Sequence, residues 1–108
     1  MARYLFEMEL TSKAFAAFIK EPGDRGQANR AVSGSVGGEL LEYYFSVGGN
    51  IIYTIMELPN EIAVEAVTMG ILAGGAVTSI KCTGILTSAE AVKAMKMAGS
   101  TGYRPPSS

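Results

Sequence analysis

Histidine is absent from this 108-residue sequence, and cysteine occurs only once, at Cys82. Without an imidazole, the chain has no histidine general base and no histidine ligand for a metal ion or haem. A single cysteine excludes an internal disulfide and the usual zinc clusters, and it suits a reducing compartment. We therefore expect no cofactor and no metal site.

Charge is scarce as well, since charged residues make up 18% of the chain and hydrophobic residues 48%. Such a surface favours a subunit that buries further area against copies of itself, so we expect a homo-oligomer, a dimer or larger. The net charge of −1 and the lack of a basic cluster argue against nucleic-acid binding. No apolar run reaches the length of a membrane span, and the first residues form no secretory leader. We expect a cytoplasmic protein that does not associate with membranes.

The clearest local pattern is the segment 43–53, YYFSVGGNIIY, in which aromatic and β-branched runs flank a Gly-Gly pair. Glycine adopts positive φ at both positions of a two-residue turn, so the pattern predicts a β-hairpin. Its strands are predicted at 40–47 and 51–58, with the two glycines as the turn. This hairpin anchors the fold assignment.

Hydrophobic periodicity and capping residues predict the remaining elements. The first strand is predicted at 4–10, and the helix after it begins at Thr11 or Ser12 and is broken at Pro22-Gly23. A second helical segment ends at Gly37-Gly38 and precedes the hairpin. After the hairpin come a helix at about 61–73 capped by Asn60, a strand at 76–86, and a helix that runs from a Thr87 capping box to about 97. The order strand, helix, strand, strand, helix, strand is that of the ferredoxin-like fold, an antiparallel sheet with helices on one face. We expect one α+β domain at 1–98 and a disordered tail at 99–108.

Two surfaces of this fold need cover. The helix at 61–73 is apolar around most of its circumference, which is typical of a helix covered on more than one side, here by the C-terminal helix or by another subunit. The sheet face that carries no helices exposes apolar side chains unless a second copy covers it. We expect the subunits to pair sheet to sheet.

The register of the hairpin predicts a site on this open sheet face. With the two glycines as the turn, Tyr44 lies opposite Tyr53. Alternation along the first and last predicted strands, 4–10 and 76–86, brings Glu7 and Lys81 to the same face. Between paired subunits these side chains would line an interior where a small molecule binds. The structural alternative is a cross-strand tyrosine pair and a Glu7–Lys81 salt bridge. The helix-facing side is predicted to hold Leu41, Phe45, Ile52, Met56, Ile80, Leu86 and a buried, inert Cys82.

The chain resembles the GYD-domain family of the dimeric α/β-barrel group over most of residues 4–97. The matching features are the opening strand into Thr11, the broken helix ending at Gly37-Gly38, Tyr43-Tyr44, the turn at Gly48, the Glu57-Leu58-Pro59-Asn60 exit, Gly74-Gly75 and Thr87. The family is named for a glycine closely followed by Tyr and Asp, and alignment on Gly48 places Asn50 and Ile51 there instead. No role of that Tyr-Asp pair therefore carries over to this chain. The resemblance implies the fold and the paired barrel, in a family whose members look functionally uncharacterised.

Two functions fit these observations. The first is a homo-oligomer that binds a small apolar or amphipathic molecule in a barrel cavity or serves a structural role, as the low charge and the lack of a catalytic constellation indicate. The alternative, implied by the barrel group, is a cofactor-independent monooxygenase or isomerase with Glu7 as base and Tyr44 or Tyr53 as proton donor. A ligand-sensing regulatory module is a third interpretation.

Overall fold

The computed structural model of the protein describes residues 1–106. Its elements in chain order are β1 (Ala2–Leu10), α1 (Ser12–Lys20), α2 (Arg25–Gly34), β2 (Glu39–Phe45), β3 (Ile51–Leu58), α3 (Glu61–Ala73), β4 (Val77–Ile85) and α4 (Ser88–Ala98). This is the predicted order, and each element lies within a few residues of its predicted bounds.

The strands form one antiparallel sheet in the order β2-β3-β1-β4. Helices α1 and α2 connect β1 to β2, and α3 connects β3 to β4, so that each connection passes over a strand of the same sheet. This is the split βαβ arrangement. The fold is α+β and ferredoxin-like, which confirms the prediction.

The core lies between the sheet and the helices on one of its faces. Along β3 the side chains alternate between buried and half-buried, as a strand with one covered face requires. The buried apolar residues are Phe6, Met8, Leu10, Ala14, Ile52, Met56, Leu58, Ala63, Val67 and Val77. On the opposite face of the sheet, side chains such as Leu5, Tyr53 and Ile55 are only half-buried.

Side-chain caps begin the helices, and glycines follow the ends of α2, α3 and α4. Each of the four helices has an N-cap side chain that accepts a hydrogen bond from a backbone amide of its first turn. In the order α1 to α4 these residues are Thr11, Asp24, Asn60 and Thr87. The Thr87 amide donates in return to the Glu90 carboxylate at 2.9 Å, which completes the predicted capping box and lowers the pKa of Glu90. After α2, the Gly38 amide donates to the Ser33 carbonyl at 2.9 Å and Gly37 adopts a φ of +80°, a Schellman motif.

The hairpin has the predicted register, because Tyr44 pairs with Tyr53 and the Ser46 amide donates to the Ile51 carbonyl at 2.8 Å. The expectation of positive φ at both glycines is wrong, since only Gly48 adopts it, at +78°. The Ile51 amide donates to the Ser46 hydroxyl at 3.0 Å, so a side chain helps to close the loop. The second glycine therefore needs no left-handed conformation.

Two predictions for the helix-facing side of the edge strands are wrong. The register of β2 shifts between Leu40 and Glu42, so Leu41 is an extra residue and Leu40 packs on the core in its place. Cys82 is exposed rather than buried. The reason is that β4 is an edge strand on which only the first residue, Val77, is buried.

Helix α4 extends away from the rest of the domain. It contains no buried residue, and the chain has a Cα radius of gyration of 17.4 Å, against about 13 Å for a compact domain of this length. Leu86, predicted to face inward, is 63% exposed because it follows the end of β4. On α3, Ile62 and Met69 remain exposed, so α4 of the same chain is not the predicted cover of that helix. Cover by another subunit stays a prediction.

The C-terminal end adds no further element within the described residues, since 99–106 contain neither helix nor strand. Residues 107 and 108, the last of the predicted disordered tail, lie outside the described residues, and disorder of the tail stays a prediction. Within residues 1–106, none of the helices combines the length and the apolar character that crossing a bilayer requires. The cytoplasmic location also stays a prediction.

Candidate functional sites on the two faces of the sheet

The residues that the sequence predicts for a site lie in one row across the open face. Tyr44 on β2 pairs with Tyr53 on β3, Tyr53 pairs with Glu7 on β1, and Glu7 pairs with Lys81 on β4. The row therefore runs through all four strands of the sheet, and we call it the open-face row. The structure brings these four side chains together on one surface, whereas their role in binding stays a prediction.

The contacts within the open-face row are weak and exposed. The Lys81 ammonium lies 4.0 Å from the Glu7 carboxylate, and the Lys81 side chain is 76% exposed. An exposed pair at this distance contributes about 0–1 kcal/mol. The Tyr44 hydroxyl donates to the Glu42 carboxylate at 2.7 Å, and this acceptor raises the pKa of Tyr44. These contacts agree with the salt-bridge interpretation of Glu7 and Lys81.

A larger cavity lies on the other side of the sheet, between the helices. Helices α1 and α2 cover one half of the sheet and α3 the other, and the gap between them encloses about 420 Å³. We call this gap the helix-side cavity. Its apolar lining includes Met8, Leu10, Phe18, Val32, Val36, Ile52, Val67, Ile71 and Val77. A volume of this size falls within the range of small-molecule sites.

A small polar group stands at one wall of the helix-side cavity, formed by Arg25 and Asn29 from α2 and Tyr43 from β2. The Arg25 guanidinium carbon lies 5.2 Å above the ring of Phe18, a cation–π arrangement that orients the head group. The Asn29 carbonyl oxygen Oδ1 is buried and has no hydrogen-bond partner among the described residues. Burying an unpaired acceptor costs free energy, and because the oxygen is buried it does not border the open space of the cavity.

Burial raises the pKa of Tyr43, although the charge of Arg25 and hydrogen bonding from Asn29 and Arg25 act in the opposite direction. Tyr43 is therefore un-ionised near neutral pH, where its hydroxyl can donate or accept a hydrogen bond. Together Arg25 and Tyr43 offer a cation and a neutral hydroxyl. They can recognise a polar head group whose apolar body lies in the cavity.

Helix α3 contributes small residues to its side of the cavity, namely Ala66, Gly70 and Gly74. A Cβ added at Gly70 would meet no atom within 4 Å. Glycine within a helix costs about 0.5–1 kcal/mol relative to alanine, and neither a positive φ nor a close contact requires it here. Gly70 therefore keeps open a volume that a larger side chain would occupy.

Sequence reasoning missed the helix-side cavity entirely. Arg25 and Asn29 are one helical turn apart, a spacing that puts both on one face of α2. The third residue, Tyr43, lies on the opposite face of β2 from Tyr44. A glycine in the middle of a helix, such as Gly70, was the one other indication of a cavity. The sequence does not show that Gly70 and Arg25 lie on opposite sides of a gap. The cavity depends on how far apart the helices lie.

The described residues contain no group of three or more histidine, cysteine, aspartate or glutamate side chains placed to hold a metal ion, and the absence of a metal site stays a prediction. The one cysteine, Cys82, has its thiol pKa raised by burial of part of its side chain, which makes it a poorer nucleophile at neutral pH. The chemistry that the site residues offer is therefore recognition by hydrogen bonds, charge and apolar contact.

Comparison with known proteins places these features in a family context. The family model described as the GYD domain matches residues 4–96. Among solved structures the chain is similar to protein Atu4242 from Agrobacterium tumefaciens, known from an X-ray crystal structure, with 17% identity and a TM-score of 0.48 over 80% of this chain and 92% of that one. No curated protein matches the chain significantly.

Proposed function

The chain belongs to the GYD-domain family, and we propose that it is a homodimer that binds a small, largely apolar molecule in the helix-side cavity of each subunit. The observation that carries the proposal is the cavity of about 420 Å³, lined mainly by apolar side chains, with Arg25, Asn29, Ser35 and Tyr43 as its polar residues. Pockets of this kind are the usual sites of small-molecule binding.

The dimer is supported by the surface that the single chain exposes. Its accessible surface is 7490 Å² at a mass of 11.3 kDa, whereas a compact monomer of this mass exposes about 5,700 Å². Helix α4, without a buried residue, contributes to this excess, and the open face adds the neighbours Leu5 and Ile55, neither of which is fully buried. Pairing two open faces removes such side chains from water and can bring Glu7 of one copy near Lys81 of the other.

Ile55→Lys is expected to convert the dimer into a monomer, because it puts an ammonium into the centre of the paired sheets. The matched control is Ile62→Lys, the same change at a position of α3 that is 82% exposed. Sedimentation equilibrium at micromolar concentration should give a dimer for the wild type and Ile62→Lys, and a monomer for Ile55→Lys. A monomeric wild type would contradict the proposal, and dissociation by Ile62→Lys alone would assign the interface to α3.

Gly70→Leu is expected to weaken binding of the neutral fluorescent probe N-phenyl-1-naphthylamine at least 10-fold, because the new side chain enters the cavity. Gly70→Ala is the control: it adds one methyl group, should retain binding, and should stabilise α3 by about 1 kcal/mol. Fluorescence titration measures the affinity, and circular dichroism verifies that both variants are folded. Equal affinity of wild type and Gly70→Leu would show that the probe binds elsewhere.

A cofactor-independent monooxygenase or isomerase is the second candidate. It is favoured by the open-face row, in which a carboxylate and two phenols are neighbours on a surface that pairing would close. It ranks second because Glu7 already lies 4.0 Å from an ammonium and the Tyr44 proton is already donated to Glu42. Glu7 is therefore not free to act as the base, and Tyr44 is not free to act as the proton donor.

A further inference from the structure

We infer that the ligand of the helix-side cavity is an apolar monocarboxylate, an aromatic or aliphatic acid. Arg25 binds the carboxylate, and the apolar body lies in the cavity. The inference rests on the proposed function, because it names the class of molecule that occupies the same cavity.

The charge of the cavity favours a single negative charge. Arg25 is the only charged side chain among the residues that line it. The neighbouring Asp24 carboxylate accepts a hydrogen bond from the Gln27 amide at 3.3 Å as the cap of α2, and within residues 1–106 no carboxylate forms an ion pair with Arg25. A guanidinium pairs with a carboxylate through two parallel hydrogen bonds. One guanidinium that forms no ion pair, beside a capping aspartate, suits a monoanion better than a phosphate dianion.

The position of Arg25 explains how an exposed residue can recognise a buried ligand. Its head group rests over the Phe18 ring at 5.2 Å, at the start of α2, while the apolar wall extends behind it to Val67 and Ile71 on α3. The cation is therefore at the mouth and the apolar surface is inside. A ligand with a charged end and an apolar body matches this order, because its carboxylate stays near water while the body is desolvated.

Tyr43, un-ionised because burial raises its pKa, adds a hydroxyl to the same wall as Arg25 and no negative charge.

The experiment compares 2-naphthoate with neutral 2-naphthamide, two probes that share one apolar body, by isothermal titration calorimetry at pH 7. The wild type should bind 2-naphthoate at least 10-fold more tightly than the amide. Arg25→Gln should abolish this preference and leave the affinity for the amide within about twofold, since the substitution does not change the apolar contacts of the naphthyl group. Arg30→Gln is the matched control, because Arg30 lies on the same helix outside the cavity lining, and it should retain the preference.

Equal affinity of the wild type for naphthoate and naphthamide would overturn the carboxylate inference and leave the binding function intact. Failure of these probes and of N-phenyl-1-naphthylamine to bind would remove both.

Discussion

Gly38→Ala is expected to lower the free energy of unfolding by about 3 kcal/mol, through overpacking against atoms that cannot move aside. A Cβ at this position would collide with the backbone carbonyl of Glu57 and would lie 2.6 Å from a methyl carbon of Leu58. Both belong to the end of β3, where Leu58 is fully buried. The Schellman motif holds Gly38 in place through its hydrogen bond to Ser33, so the clash must displace either the end of α2 or the strand.

Urea denaturation at fixed protein concentration measures this loss as a lower midpoint with an unchanged slope. The control is Gly34→Ala at the end of α2, where a Cβ meets no atom within 4 Å. That variant should be neutral or more stable by up to about 1 kcal/mol, because alanine is the better helix former. If both variants lost the same stability, the effect would come from helix termination, and the close approach of Gly38 to β3 would not be its cause.

Thr54→Val should raise the free energy of unfolding by about 1–2 kcal/mol. Thr54 lies on β3 between Phe6 and Tyr43, is fully buried, and its hydroxyl has no hydrogen-bond partner among the described residues. Valine has nearly the same shape and the same preference for strands. The substitution therefore removes an unsatisfied polar group and leaves the packing unchanged.

The gain should appear as a melting temperature higher by about 4 °C or more in calorimetry. Thr78→Val on β4 is the control, because its exposed hydroxyl makes only a long contact of 3.4 Å with the Glu9 carbonyl, so the change should stay within about 0.5 kcal/mol. A loss of stability in Thr54→Val would mean that the hydroxyl has a hydrogen-bond partner in solution, such as a bound water, and that this hydrogen bond stabilises the fold.

Local chemistry made much of the fold predictable from the sequence. Asn60 caps α3 and Thr87 begins a capping box with Glu90, because these side chains act on amides only two or three residues away. The pairing of Tyr44 with Tyr53 follows in the same way from strand alternation counted from a glycine turn. Such interactions join near neighbours in the chain, so their residues can be read directly.

The predictions that were wrong depend on contacts between distant segments. Leu41 stands at a bulge of β2 that strict alternation could not anticipate, and Cys82 is exposed because helix cover of β4 does not extend to it. Helix α4 was expected among the possible covers of α3, yet it projects from the domain without a buried residue. Each outcome depends on which surfaces pack together in the folded chain, and a local sequence pattern does not determine this packing.

The same division holds for the site. The open-face row of Tyr44, Tyr53, Glu7 and Lys81 was predictable because strand register alone determines which side chains are neighbours on a sheet. Its function stays a prediction that depends on a second copy.

By itself, then, the sequence determined the order of the elements, the antiparallel ferredoxin-like sheet, the helix ends and the chemistry that the chain lacks. Only the tertiary structure decided that α2 and α3 stand apart over the sheet, so that Arg25 and Asn29 face Gly70 across a cavity of about 420 Å³. Short-range hydrogen bonds and alternation act along the chain, whereas the volume between two helices depends on the side chains of several segments packing at once.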